Sequence, residues 1–241
     1  MKLNTKNTIL SALLLFVTLG WSHAHALYID TETHGKAGKE QEVKIYYSEF
    51  ADGKVEKIAD WYSDVKDFQL WLVHPDGKKT TLATTAHEDH FTAHFTPESK
   101  GTYRLEISHT AEDPGESTAY QFNTFAHVYV GKRIAELPLT ANGPELYLLE
   151  KPLAKKNAQT KTFVTYFKGQ PTAGVTATLF LPSGETKEVV SNENGLVEVE
   201  LPRKGTYFIE ATTYHEEEAG RTKKAPYESV WRCATQKIEV G

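Results

Sequence analysis

The chain has one cysteine in 241 residues, Cys233, so no internal disulfide can form and stability must come from buried apolar surface. It has no apolar run of the roughly 20 residues that a membrane-spanning helix needs. The leading candidate, Ile9 to Leu19, stops at eleven residues. Basic charge is not in surplus either: 27 Lys and Arg face 32 Asp and Glu, a formal net charge of −5. That balance disfavours nucleic acid and anionic membrane surfaces as partners. Catalytic motifs are missing as well. There is no GxSxG elbow, P-loop or GxGxxG, and neither HEDH (His87 to His90) nor HEEEA (His215 to Ala219) has the HExxH spacing of a helical zinc site. No residue is assigned a catalytic role, and a non-enzymatic protein is expected. An enzyme acting on cell wall or polysaccharide would need paired carboxylates about 5 to 10 Å apart in a cleft, and no such pair can be chosen from the sequence.

What is present begins with a three-part leader: Lys2 and Lys6, the apolar run, then small residues suited to a signal peptidase. Residues 1–24 read as a signal peptide, which predicts an exported protein, periplasmic or secreted, with no transmembrane anchor. No cysteine near the junction offers a site for lipid attachment. Removing Lys2 and Lys6 leaves 25 basic residues against 32 acidic and a formal charge of −7. Within WSHAHALYID, Trp21 to Asp30, two cuts fit the peptidase rules. Cleavage after Ala26 starts the protein at Leu27. Cleavage after Ala24, with Ser22 at the third position before the cut, starts it at His25.

The rest of the chain repeats itself. LWLVHPDGKKTTL (Leu70 to Leu82) and ATLFLPSGETKEV (Ala177 to Val189) each read as strand, Pro-x-Gly turn, strand. About twenty residues later each copy has KGTY, at Lys100 to Tyr103 and Lys204 to Tyr207, followed by alternation in which Tyr103, Leu105 and Ile107 share a face. Each closes with a strand ending in Val-Gly, HVYVG at His127 to Gly131 and KIEVG at Lys237 to Gly241. The spacing predicts an all-β protein: two tandem Ig-like or transthyretin-like β-sandwiches, residues 25–132 and 145–241, with a linker at 133–144. Helix is scarce, with one short segment expected around Val55 to Val65 as an insertion between strands.

The runs DWYSDVKDFQLWLVHPDGKKTTL, EDHFTAHFTPESKGTYRLEISH, FKGQPTAGVTATLF and NENGLVEVELPRKGTYFIEA closely resemble the DUF4198 family of exported bacterial proteins. The resemblance implies a β-sandwich followed by a second of the carboxypeptidase-regulatory or transthyretin-like kind. It also implies a link, for some members, to periplasmic nickel or cobalt uptake, with a histidine near the mature N-terminus involved.

Histidines carry the remaining chemical signal. In HEDHFTAHF, His87 to Phe95, alternation puts His90 and His94 on one face, but four strand residues separate them by about 13 Å. Two imidazoles on one metal need their nitrogens about 2.0 to 2.1 Å from it, so the pair cannot easily be co-ligands. They read first as two polar histidines of a solvent-facing strand, and one could still pair with a residue from a neighbouring strand. His109 continues the face of Tyr103, Leu105 and Ile107 and precedes an acidic loop, HTAEDPGE; the second copy has YHEEEAGR. A neutral imidazole beside carboxylates suits Ni²⁺, Co²⁺, Zn²⁺ or Cu²⁺, and a solvated acidic hairpin would read the same way. Were His25 the first residue, its amine and imidazole Nδ1 could close a six-membered chelate ring on such an ion.

Two functions follow. One is an exported transition-metal-binding protein, an accessory to metal uptake that hands its ion to a membrane transporter, with His25 at the N-terminus and one or more of His90, His109 and His127 completing the site. The other is a non-enzymatic envelope adhesion or scaffold module that binds protein or glycan through loops and sheet edges, for which exposure of Trp61 and Tyr62 is the discriminating feature. Trp61, Trp71 and Trp231 otherwise read as core or sheet-face aromatics.

Overall fold

A computed structural model describes residues 25–50, 54–131, 143–151 and 159–241. The leader and most of the expected linker lie outside those residues. The alternating segments become strands almost throughout. In chain order the longer ones are β1 (Ala26–Thr31), β2 (Gln41–Glu49), β3 (Trp71–Val73), β4 (Lys79–Thr81), β5 (Phe91–Phe95), β6 (Gly101–Thr110), β7 (Thr118–Val130), β8 (Leu146–Lys151), β9 (Thr160–Phe167), β10 (Thr176–Phe180), β11 (Thr186–Val190), β12 (Leu196–Glu200), β13 (Gly205–His215) and β14 (Ser229–Val240). The short helix expected near 55–65 is instead two single turns of 3-10 helix, Ile58–Asp60 and Val65–Asp67. They place Trp61 and Val65 in the core, so this insertion fills the sandwich rather than decorating it.

Both repeated motifs take the same form in the two copies. At the Pro-x-Gly turns Gly77 and Gly184 each adopt φ +84°, a left-handed conformation that a side chain would strain. At the KGTY motifs the tyrosine hydroxyl turns back four residues. Tyr103 Oη donates to the Ser99 carbonyl and accepts from the Ser99 N–H, both at 3.1 Å. Tyr207 Oη does the same at Arg203, at 2.9 and 3.1 Å. This is the corner device of Ig-like sandwiches. Tyr207 is fully buried, so Tyr207→Phe strands a main-chain carbonyl and N–H. It should cost about 1–3 kcal/mol, read as a lower urea midpoint at unchanged slope.

Strand pairing joins the copies into one wall. A sheet runs β11-β10-β13-β14-β7-β6-β3-β4, with the short strand His34–Gly35 beside β7. Its centre is a parallel pair, β7 with β14, registered from Thr118 opposite Ser229 to Phe125 opposite Gln236. A second sheet, with β1, β2 and β5 at its core, covers one face of this wall and encloses the first apolar core, which includes Val43, Ile45, Tyr103, Leu105, Phe122 and Cys233. A third sheet, β8, β9 and β12, covers the opposite face and encloses the second, which includes Leu146, Phe163, Val197, Tyr207, Ile209 and Ala234. Cys233 and Ala234 are chain neighbours, yet they belong to different cores. The middle of β14, Arg232 to Thr235, is accordingly buried on both faces, its polar residues included.

The start of the described chain is tied across the wall. Thr235 Oγ1 donates to the Leu27 carbonyl, and Lys237 Nζ meets Asp30 Oδ1 at 2.6 Å. Tyr28 packs edge-on to Phe208 at 4.9 Å, and Phe50 stacks on Phe208 at 4.4 Å. These contacts fix β1, and with it the position of His25.

Candidate functional site

His25 immediately precedes β1, and Ala26 pairs with Ser48 of β2. The register lays the His25 ring on Tyr47, with centroids 5.4 Å apart and planes 22° from parallel. Its Nε2 lies 2.8 Å from Glu56 Oε1. Glu56 is itself held through its main chain: its N–H donates to the Tyr47 carbonyl and its carbonyl accepts from the Trp61 indole, both at 3.2 Å. Trp61 is only 4% exposed. It therefore positions Glu56 from below and is not the surface aromatic that the adhesion reading needs; Tyr62 is half-buried.

The ring sits at the wall of a cavity of about 560 Å³. Sheet register builds the floor. Tyr120 lies opposite Trp231 across the β7–β14 pair, and Trp231 lies opposite Tyr214 across β14–β13, so three strands set three aromatic rings in one row. Tyr120 and Trp231 meet at 5.9 Å, and Tyr62 meets Tyr120 edge-on at 5.7 Å. Tyr47 and Phe122 complete the aromatic lining, and Glu56 and Asp60 supply its carboxylates. Burial, reinforced by Cys233 and Glu56, raises the Tyr47 hydroxyl well above its ordinary range. Burial and nearby Glu210 do the same to the Cys233 thiol. Neither group supplies an anionic ligand at neutral pH.

The other three candidate histidines are not brought to this cavity. His90 stacks on Tyr46 at 5.2 Å and bonds Asp89 through Nδ1 at 2.7 Å. Since Tyr46 and Tyr47 are consecutive strand residues, His25 and His90 lie on opposite faces of the second sheet. His109 points into the first core, where Nε2 lies 3.4 Å from Asp64 Oδ1. Burial raises the Asp64 carboxyl, but the Glu112 N–H, His109 and Ser63 together outweigh it and hold the group below its ordinary range. His127 pairs with Arg104, off the first-core face of the wall, and stacks on Tyr129 at 6.1 Å. Among the described residues no three His, Cys, Asp or Glu side chains are grouped to hold a metal ion.

The acidic loops are committed elsewhere. Glu112 pairs with Lys223 at 2.6 Å and Asp113 with Lys224 at 2.8 Å, which ties the first copy's loop to the second copy. Glu218, in the matching loop of the second copy, grips Arg232 through both carboxylate oxygens, at 2.9 and 2.6 Å. His94, exposed on its strand, lies 3.5 Å from Glu40. What the sequence did not flag is Glu56, Asp60 and the row Tyr120, Trp231 and Tyr214. Tyr120 and Trp231 meet through a parallel pairing between strands more than a hundred residues apart, and Glu56 meets His25 across 31 positions; no local pattern signals either.

Among curated proteins there is no match to this chain. Solved structures with some similarity include a DUF4785 family protein from Legionella pneumophila (14% identity, TM-score 0.31), with 88% of this chain aligned to 55% of that one. A two-domain fibronectin type-III segment of chicken tenascin aligns at 12% identity and TM-score 0.23, over 87% of this chain and 97% of that one. A structure from a 1.5-MDa bacterial ice-binding adhesin aligns at 10% identity and TM-score 0.25, over 88% and 64%. Scores this low carry no argument for this chain. The sequence itself is matched over residues 22–215, a span that holds the whole cavity lining except Trp231, by the family described as a domain of unknown function, DUF4198, and the chain belongs to that family.

Proposed function

We propose that the protein is exported to the periplasm or cell exterior, is cut between Ala24 and His25, and captures a divalent transition metal, Ni²⁺, Co²⁺, Zn²⁺ or Cu²⁺, at the new N-terminus. It would serve there as a binding accessory that passes the ion to a membrane transporter. The observation that supports this reading is the 2.8 Å contact between His25 Nε2 and Glu56 Oε1. Histidine ligands characteristically give their second ring N–H to a carboxylate, which fixes the tautomer and aims the other nitrogen at the metal. With Nε2–H held by Glu56, Nδ1 keeps its lone pair. A free main-chain amine on the same residue completes a six-membered chelate ring. Glu56 acts here as a positioning residue, not a ligand. His90, His109 and His127 have no part in this site.

Four expected outcomes test the reading. The exported protein has the intact mass of a chain beginning at His25; a chain beginning at Leu27 would lack the site and overturn the proposal. On the chain that begins at His25, calorimetry finds micromolar or tighter binding of at least one of the four ions, and His25→Ala abolishes it. Glu56→Gln weakens binding by about 10–100-fold, the usual loss when such a carboxylate partner is removed. Binding also weakens as pH falls below about 8, because the ion must displace a proton from an amine of pKa about 7.7–8.0.

A further inference from the structure

The cavity is much larger than an ion. At about 560 Å³ it has the size of a small-molecule site. Its floor is a row of aromatic rings fixed by strand register, Tyr120, Trp231 and Tyr214, and Tyr214 leaves 54% of its surface open. If His25 is the anchor, as proposed above, the protein contributes two nitrogen donors. Transition ions of this class take about four to six ligands. Among the described residues no further cluster of His, Cys, Asp or Glu completes the set. The described residues thus leave the set incomplete, and an organic ligand can supply the remaining donors. A site expecting only water would not need an aromatic floor, whereas the carbon skeleton of an organic ligand is well matched to it.

We propose that the ion arrives as a complex with a small organic chelator, whose body lies on the Tyr120–Trp231–Tyr214 row while the metal meets His25. Glu56 and Asp60 both line the cavity, so its carboxylates favour a neutral or cationic complex and oppose an anionic one. That selects amino-acid and imidazole chelators over polycarboxylates.

The test uses the full exported chain beginning at His25 and three probes: Ni²⁺ alone, the 1:1 nickel–histidine complex, and nickel–citrate. Native mass spectrometry should detect a ternary species of protein, nickel and histidine. Calorimetry should give the histidine complex at least tenfold tighter binding than Ni²⁺ alone, with nickel–citrate the weakest. Trp231→Ala should lower affinity for the histidine complex by tenfold or more and leave Ni²⁺ alone within twofold. Tyr214→Ala, at a half-exposed position, should lower it about threefold and serves as the second variant should Trp231→Ala fail to fold. Tight binding of Ni²⁺ alone with no ternary species, or equal effects of the aromatic variants on all probes, overturns this inference and leaves His25 as a site for the bare ion. Binding of none of the probes overturns this inference, and failure of Co²⁺, Zn²⁺ and Cu²⁺ to bind as well overturns the proposed function.

Discussion

Replacing Glu210 by glutamine should raise the melting temperature by about 10 °C at pH 9 and leave it nearly unchanged at pH 4.5. A tenfold change in an acidity constant is worth roughly 1.4 kcal/mol, and each kcal/mol moves the melting point of a chain this size by about 2–4 °C. Glu210 projects from β13 on the face that carries Phe208 and Thr212, away from the second core, and is only 7% exposed. Burial, and next the charge of Glu49, push its carboxyl up to about 8. Its Oε2 is buried and has no hydrogen-bond partner among the described residues. Glu49 is also buried, at the end of β2, so two acids meet where the second sheet reaches over β13. The direction follows from linkage. Between the ordinary carboxylate value of 4.5 and about 8 the folded chain retains a proton that the unfolded chain has released, so stability falls as pH rises through that window. Glutamine has no proton to lose. Melting curves of parent and variant across pH 4.5 to 9 should converge at the acid end and diverge steadily toward the alkaline end. A constant offset would mean that Glu210 is not the group titrating.

The second large effect has the opposite sign. Glu218→Gln should destabilise the protein by about 2–4 kcal/mol near neutral pH, because it leaves a buried guanidinium short of its main partner. Arg232 is 3% exposed and donates to both Glu218 oxygens and, through Nε, to Glu145 Oε2 at 2.9 Å. Hydrogen bonding to Arg232 holds the Glu218 carboxyl at about 2, against the opposing effect of burial and with help from Lys168. A depressed carboxylate stabilises the fold above its unfolded value and loses that contribution as pH falls from about 4.5 toward 2. The destabilisation in Glu218→Gln should therefore shrink as the parent is acidified, measured by urea denaturation at pH 7, 4 and 3. An unchanged difference at pH 3 would contradict the assignment. Arg232 neighbours Trp231, so this ion pair also secures the strand that carries the middle ring of the cavity floor.

Much of the fold was legible because it is local. The two Pro-x-Gly turns, the two KGTY corners and the alternation after them depend on neighbours within a few residues, and each reappears in both copies. Two things were not legible. The expected short helix became 3-10 turns because Trp61 and Val65 are drawn into the core, a tertiary demand that overrides local pattern. The common wall was hidden because the β7–β14 pair is parallel and joins strands a hundred residues apart. The site shows the same division. His25 stood out because of its place at the leader junction, and its partner Glu56 did not, because a strand pairing brings them together across 31 positions. Of the histidines grouped by composition, strand alternation sends His90 and His127 to other faces, while His109 lies beside Asp64.

The central claim is that His25 binds metal as a free N-terminal residue. It is tested most directly by titrating Ni²⁺, Co²⁺, Zn²⁺ and Cu²⁺ in turn into two versions of the chain, one beginning at His25 and one that keeps Ala24 before it. The imidazole is the same in both, and only the terminal amine moves. The account predicts micromolar or tighter binding of at least one of these ions to the first and at least 100-fold weaker binding of that ion to the second. Equal affinities, or no binding to either, would contradict it.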